Sequence, residues 1–185
     1  MDILSLFITV PVLTILALVF TKSLKQARIV SMIGSLVQFA MAVNLVFAYF
    51  KERAINQDIM VFTKDVVWFE QFNIHYAIGV DGISVALLLL TTIVVLAGVF
   101  ISWKISDLPK EFFISLIVLS IGVYGFFISL DLFTMFVFFE IAVIPMYLLI
   151  GIWGTGPREF SAMKLTLMLM GASAILLVAI LGIYF

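Results

Sequence analysis

Hydrophobic residues in this chain gather into six long runs, with polar residues confined to the segments between them. The runs extend roughly from Ile3 to Thr21, Val30 to Phe50, Gly82 to Trp103, Phe112 to Ser129, Leu132 to Trp153 and Phe160 to Tyr184. Each can cross a hydrocarbon layer of ~30 Å, which takes ~20 residues of helix. A membrane β-barrel would alternate polar and apolar positions instead. A buried helix of a soluble protein could imitate one such run, but not six in succession. The pattern predicts an all-α, polytopic bundle of about six spans, with residues 1–185 forming a single membrane domain.

Ordinary start and stop signals punctuate the runs. Gly154-Thr155-Gly156-Pro157 ends the fifth, and Pro157 suits the first turn of the sixth, where a missing N–H costs little. Asp81 and Asp131 are placed to cap the third and fifth helices, and Asp107-Leu108-Pro109 precedes the fourth. The long connection over residues 51–80 carries Asp58, Lys64, Asp65 and Glu70, then Phe72-Asn73-Ile74-His75-Tyr76 with strand-like alternation. It reads as an external loop with a surface hairpin. Trp68 and Tyr76 suit the headgroup level, and His75 is expected to be a solvated imidazole. Gly122, Gly125, Gly171 and Ala174 are small residues that permit close helix approach.

Composition narrows the function. Apolar residues make up 65% of the chain and charged ones 11%, against roughly half and a quarter in a soluble domain, so lipid rather than water is the main solvent. A net charge of -1 without a clustered basic face excludes a nucleic-acid partner. With no cysteine, disulfides, thiolate-held iron–sulfur clusters and zinc–thiolate sites are excluded, and a single histidine leaves few ligands for haem or metal. No cofactor or metal is expected in the chain itself. Asp2, the absence of a basic leading segment and the lack of a small-residue cleavage signal read as a retained first span.

The basic residues give an orientation. Lys22, Lys25, Arg28, Lys104, Lys110, Arg158 and Lys164 fall at one end of the alternating spans, and Lys51, Arg53 and Lys64 at the other. Seven against three places the first end in the cytoplasm and the N-terminus outside.

Glu140 carries the most chemical information, because no other charge lies between Leu132 and Trp153. It stands ~13 Å down its helix from Asp131 at ~1.5 Å per residue, near the bilayer centre. A charged group there costs about 2.5–3.5 kcal/mol even on the lenient insertion scale. Two roles offset such a cost: a step in an ion or proton path, or a hydrogen bond between helices. Pro145 lies just beyond it; lacking an N–H, it frees the Ile141 carbonyl and kinks the helix. Tyr147 falls on the same face as Glu140, either extending a hydrogen-bonded chain or anchoring at the interface. Lys164, about a turn into the sixth helix, either donates into the bundle or snorkels to the headgroups.

The segment from Asp131 to Gly154, with its aromatic run, Glu140, Pro145-Met146-Tyr147 and Gly151-Ile152-Trp153-Gly154, resembles the antiporter-like subunits of respiratory complex I, most closely the M-type chain of NADH:quinone oxidoreductase. Gly79-Val80-Asp81-Gly82-Ile83-Ser84 is similar to that family's approach to helix three, and Arg158 with Ala162-Met163-Lys164 to its start of helix six. The resemblance covers roughly residues 79–170. It implies an N-terminal part of a proton-translocating membrane subunit, in which Glu140 matches the channel glutamate. It also implies NADH, flavin, iron–sulfur clusters and quinone in partner subunits, and other membrane subunits of complex I with the lipid bilayer as surroundings. The location implied is a bacterial inner membrane. The family pairs its glutamate with a lysine on helix seven and continues to about fourteen helices, so a chain ending after helix six is expected to be a fragment or one part of a split protein. Mrp-type sodium/proton antiporters and membrane-bound hydrogenases carry similar subunits and remain as alternatives, as does a non-conducting structural membrane protein.

Overall fold

The computed structural model describes residues 3–55, 60–69, 74–105 and 107–184. Six helices dominate: α1 (Ile3–Phe20), α2 (Leu24–Ile55), α3 (Gly82–Ile101), α4 (Pro109–Ile128), α5 (Leu132–Trp153) and α6 (Arg158–Tyr184). All six are long and apolar enough to cross a membrane. A two-stranded antiparallel hairpin, β1 (Val61–Phe69) and β2 (Ile74–Val80), connects α2 to α3. The acidic residues Asp58 and Glu70, the pair Phe72-Asn73 and the side chain of Trp68 lie outside the described residues.

The helices agree closely with the apolar runs except at α2, which is longer at both ends than Val30 to Phe50. The physical reason is that hydropathy marks the stretch within lipid, whereas helical hydrogen bonding continues into the polar flanks. Arg28, in the leading extension, donates to the Ile105 carbonyl at 3.1 Å. Arg53, in the trailing one, donates to the Tyr49 hydroxyl at 3.0 Å. Pro157 stands one position before α6, its carbonyl accepting from Ser161 N–H.

Both aspartate caps are formed. Asp81 accepts from Ser84 N–H at 2.7 Å and Asp131 from Thr134 N–H at 2.9 Å, each satisfying one of the donors that a helix start leaves free. Hydrogen bonds from Ser84 hold the Asp81 carboxyl below the usual carboxylate range, outweighing partial burial. A lowered folded-state pKa means that this contribution is complete above the unfolded value and fades as pH falls through the lowered one. Asp81→Ala is expected to cost about 1 kcal/mol and Asp81→Asn much less, read from the thermal unfolding midpoint in detergent, with the difference between Asp81 and Ala shrinking in acid.

Helix α4 is the axis of the bundle, contacting α1, α2, α3 and α5. Half (50%) of its span is buried, against 11% for α5 and for α6, so those two present most of their surface outward. Phe7 of α1 and Tyr124 of α4 meet edge to face at 5.8 Å in the main core, with Leu45, Leu88 and Ile128 around them. The proline of α1 has a specific partner: Pro11 cannot donate to the Phe7 carbonyl, and Gln38 of α2 does so instead through Nε2 at 3.0 Å.

Small residues divide by face. At Gly122 a Cβ would sit 2.8 Å from the backbone N and the Cβ of Ala142, and at Gly125 it would strike the Phe138 ring. These glycines let α4 and α5 approach closely. Gly171 and Ala174 do not act that way, contrary to the expectation: both are exposed, and a Cβ added at Gly171 would meet nothing within 4 Å. They lie on the outward face of α6.

The hairpin is fixed to the ends of the helices. Ile78 and Val80 are fully buried in the main core, Leu130 N–H donates to the Ala77 carbonyl at 2.8 Å, and the Thr134 hydroxyl donates to the His75 carbonyl at 3.1 Å. His75 is not simply solvated, because its Nδ1 lies 2.8 Å from Asp65 Oδ1 across the hairpin. Burial pushes the Tyr76 phenol above its ordinary value, with Lys64 opposing.

Candidate functional site around Glu140

At 100° per residue, Glu140, Tyr147 and Gly151 share one face of α5. Phe138 and Ala142, on the other side, meet the glycines of α4. Gly151 meets Ala162 of α6, whose Cβ would be 3.6 Å away. Glu140 therefore turns away from the bundle axis, toward α6 and the outside. Its side chain is half-buried, and Oε1 is wholly buried with no hydrogen-bond partner among the described residues. A buried acceptor left in that state carries a desolvation cost of about 1–3 kcal/mol, which a donor or water in the assembled protein would remove.

Lys164 and Glu140 are not brought together. The two helices run antiparallel from the Gly151–Ala162 contact, so the level of Glu140 on α6 lies around Ser173, ~13 Å along the axis from Lys164. Lys164 is exposed and close to the basic end. Tyr147 is 41% exposed, on Glu140's face and one to two turns nearer that end. Pro145 is buried, and α5 continues through it as one helix. No described side chain donates to the Ile141 carbonyl that Pro145 frees, in contrast to the Gln38 bond at Pro11.

The alternating topology gathers seven basic residues at one end of the bundle. Lys110 Nζ donates to the Val19 carbonyl at 2.7 Å, Arg28 to Ile105, Trp153 Nε1 to Asp107 at 2.7 Å and Arg158 to Ile152 at 2.7 Å, tying the ends of all six helices into one belt. A polar cavity of about 390 Å³ opens in this belt, between Lys104, Asp107, Trp153 and Arg158. At the hairpin end, an apolar cavity of about 380 Å³ separates Val66, Val67 and Tyr76 from Val137, Phe138 and Ile141 of α5.

Sequence reasoning missed Gln38 and Tyr124, both buried in the spanning region. A signal existed: Gln38 is an amide near the middle of an apolar run that follows a proline-bearing one.

Comparison with known proteins places these features. Residues 129–185, which include Glu140, match the family described as NADH:quinone oxidoreductase/Mrp antiporter, TM. Chain 4-2 of the NAD(P)H-quinone oxidoreductase of Synechocystis is 36% identical over 118 residues, covering 64% of this chain and 21% of that one. Subunit M of the NADH-quinone oxidoreductase of Rhodobacter capsulatus is 38% identical over 125 residues, covering 68% and 24%. The F(420)H(2) dehydrogenase subunit M of Methanosarcina mazei is 26% identical over 182 residues, covering 98% and 36%. The chain thus spans between 21% and 36% of the length of these relatives. A chain in the solved structure of the membrane-bound sulfane sulfur reductase, an archaeal respiratory membrane complex, superimposes with a TM-score of 0.74 over 96% of this chain and 36% of that one, at 20% identity, and so shares the fold. This chain belongs to the antiporter-like family of NADH:quinone oxidoreductase and Mrp antiporter membrane subunits.

Proposed function

We propose that this chain supplies Glu140 to a proton path through the membrane part of a redox-driven pump, NADH:quinone oxidoreductase. The observation that carries the proposal is a carboxyl oxygen buried in the lipid-spanning part of α5 without a partner among the described residues. A carboxyl in lipid is stabilised as the neutral acid by desolvation and as the carboxylate by a cation or water, so movement of such a partner can load and release a proton. Tyr147 extends the path toward the basic end, and Lys164 lies at its mouth. The redox chemistry belongs to partner subunits holding flavin, iron–sulfur clusters and quinone, with other membrane subunits beside this one in a bacterial inner membrane. The names of the relatives vary in electron donor, from NADH and NAD(P)H to F(420)H(2), while the membrane subunit remains similar. The membrane subunit is accordingly what these relatives have in common, and in this proposal an Mrp-type antiporter would use the same glutamate. Replacing Glu140 by glutamine in the full-length subunit, with NADH-driven proton uptake by inverted vesicles as the readout, tests it.

The basic belt faces the cytoplasm in this proposal and the hairpin faces outward. Because these 185 residues contain no cysteine, single substitutions here, in a background with any other cysteines removed, report on this directly. Lys64→Cys is expected to react with a membrane-impermeant maleimide in intact cells, or in spheroplasts for a bacterium with an outer membrane, and Lys25→Cys only after permeabilisation. The opposite result inverts the topology.

A further inference from the structure

A second set of polar groups lies inside the spanning region, formed by α1, α2 and α4 and separate from Glu140. Gln38 is 4% exposed and Tyr124 0%. Gln38 uses its Nε2 on the Phe7 carbonyl, but its Oε1 has no hydrogen-bond partner among the described residues; the Tyr124 hydroxyl, one turn from Ser120 and beside its side chain, has none of good geometry either. Both residues line one cavity, together with Thr14, Ser35 and Ser120. The three hydroxyls already donate within their own helices, to the carbonyls of Val10, Met32 and Ile117 at 2.8, 3.0 and 2.7 Å. Each has spent its one proton and keeps only acceptor capacity. The cavity therefore brings together one free donor, the Tyr124 O–H, and several acceptors, of which Gln38 Oε1 is wholly unmet.

Its volume, about 10 Å³, is at the lower limit for one water measured by the space its centre sweeps. A file of waters or a hydrated ion does not fit. We propose that Gln38 and Tyr124 hold a single ordered water that ties α2 to α4 beside α1 and lies off the proton route. The water accepts from the Tyr124 O–H and donates to Gln38 Oε1 and to one of the three hydroxyl oxygens. Three hydrogen bonds are usual for a buried water. Pro11, Gly34, Val95 and Ile117 complete the wall, and among the described residues the cavity has no carboxylate, histidine or lysine to take a proton onward. The water also has a positional consequence: Tyr124 lies between Gly122 and Gly125, which seat α5 through Phe138 and Ala142 on either side of Glu140.

The test is a cryo-EM map of the full-length subunit within its membrane complex, at a resolution that shows other buried waters. Density is expected between the Tyr124 hydroxyl and Gln38 Oε1, and is expected to vanish in Tyr124→Phe while proton uptake per NADH oxidised stays at the unaltered value and the melting temperature falls. An empty site in the unaltered complex, a direct hydrogen bond from Tyr124 to Gln38 or to Ser120 in place of the water, or loss of pumping in an assembled Tyr124→Phe complex would each overturn the proposal. The unaltered map decides the water even if the variant does not assemble. Only the water's place off the route rests on Glu140 being the route, and a null result for Glu140→Gln leaves the density result standing.

Discussion

Glu140→Gln is expected to leave the complex assembled and to bring NADH-driven proton uptake close to the level of uncoupled vesicles. Glutamine keeps the length, the planar head and the hydrogen-bonding capacity of the glutamate, but it cannot ionise near neutral pH. The half-buried position accommodates it, and replacing a group that is costly to charge in lipid by a neutral amide removes a penalty rather than adding one. Folding is therefore spared while the proton-carrying step is lost. Glu140→Asp retains ionisation but withdraws the carboxyl by one methylene, ~1.5 Å, and is expected to pump at an intermediate rate because proton transfer needs heavy atoms within about 2.6–3.2 Å or one bridging water. Uptake per NADH is the measurement, with assembly followed on a native gel. Full pumping by Glu140→Gln would make the residue a hydrogen-bonding contact between helices and remove the proposed path.

Gly122→Ala is expected to be the more damaging of the two methyl additions at the contact between α4 and α5. The atoms that its Cβ would meet at 2.8 Å include the Ala142 backbone N and the Phe138 carbonyl oxygen, and backbone cannot rotate aside as a side chain can. Overpacking of this kind costs about 1–3 kcal/mol or forces the helices apart. Here that means displacing α5 and the carboxyl of Glu140 with it, so lower thermal stability and weaker proton uptake are expected together. Gly125→Ala presses on the Phe138 ring instead. That ring borders the apolar cavity under the hairpin, which gives it room to swing, and the loss is expected to be smaller. Gly171→Ala meets nothing within 4 Å and is expected to be neutral. Melting curves of the three variants in one detergent check the order, and equal effects at Gly122 and Gly171 would contradict the packing described here.

What the sequence by itself determined were the features that depend on composition and near neighbours. Six spans follow from the requirement that backbone polar groups in lipid be satisfied within the segment, which a long apolar run meets only as helix. The caps at Asp81 and Asp131 were equally legible, because a carboxylate three residues before a free N–H needs no tertiary partner. Glu140 stood out because charge in an apolar run is costly wherever the helix points.

Tertiary structure alone decided which faces meet. In water a helix shows its buried side by a polar stripe on the other, but in lipid both sides are apolar and the periodic signal is lost. Gly122 and Gly125 therefore looked no different in sequence from Gly171 and Ala174, although only the first two lie at a helix contact. Gln38 finds the carbonyl freed by Pro11, with Phe7 thirty-one residues away, His75 finds Asp65 on the paired strand, and Tyr124 comes to a cavity shared by four helices. Each pairing joins groups far apart in the chain. Lipid gives such groups no alternative partner, and so the fold, through helix packing, settles where they go.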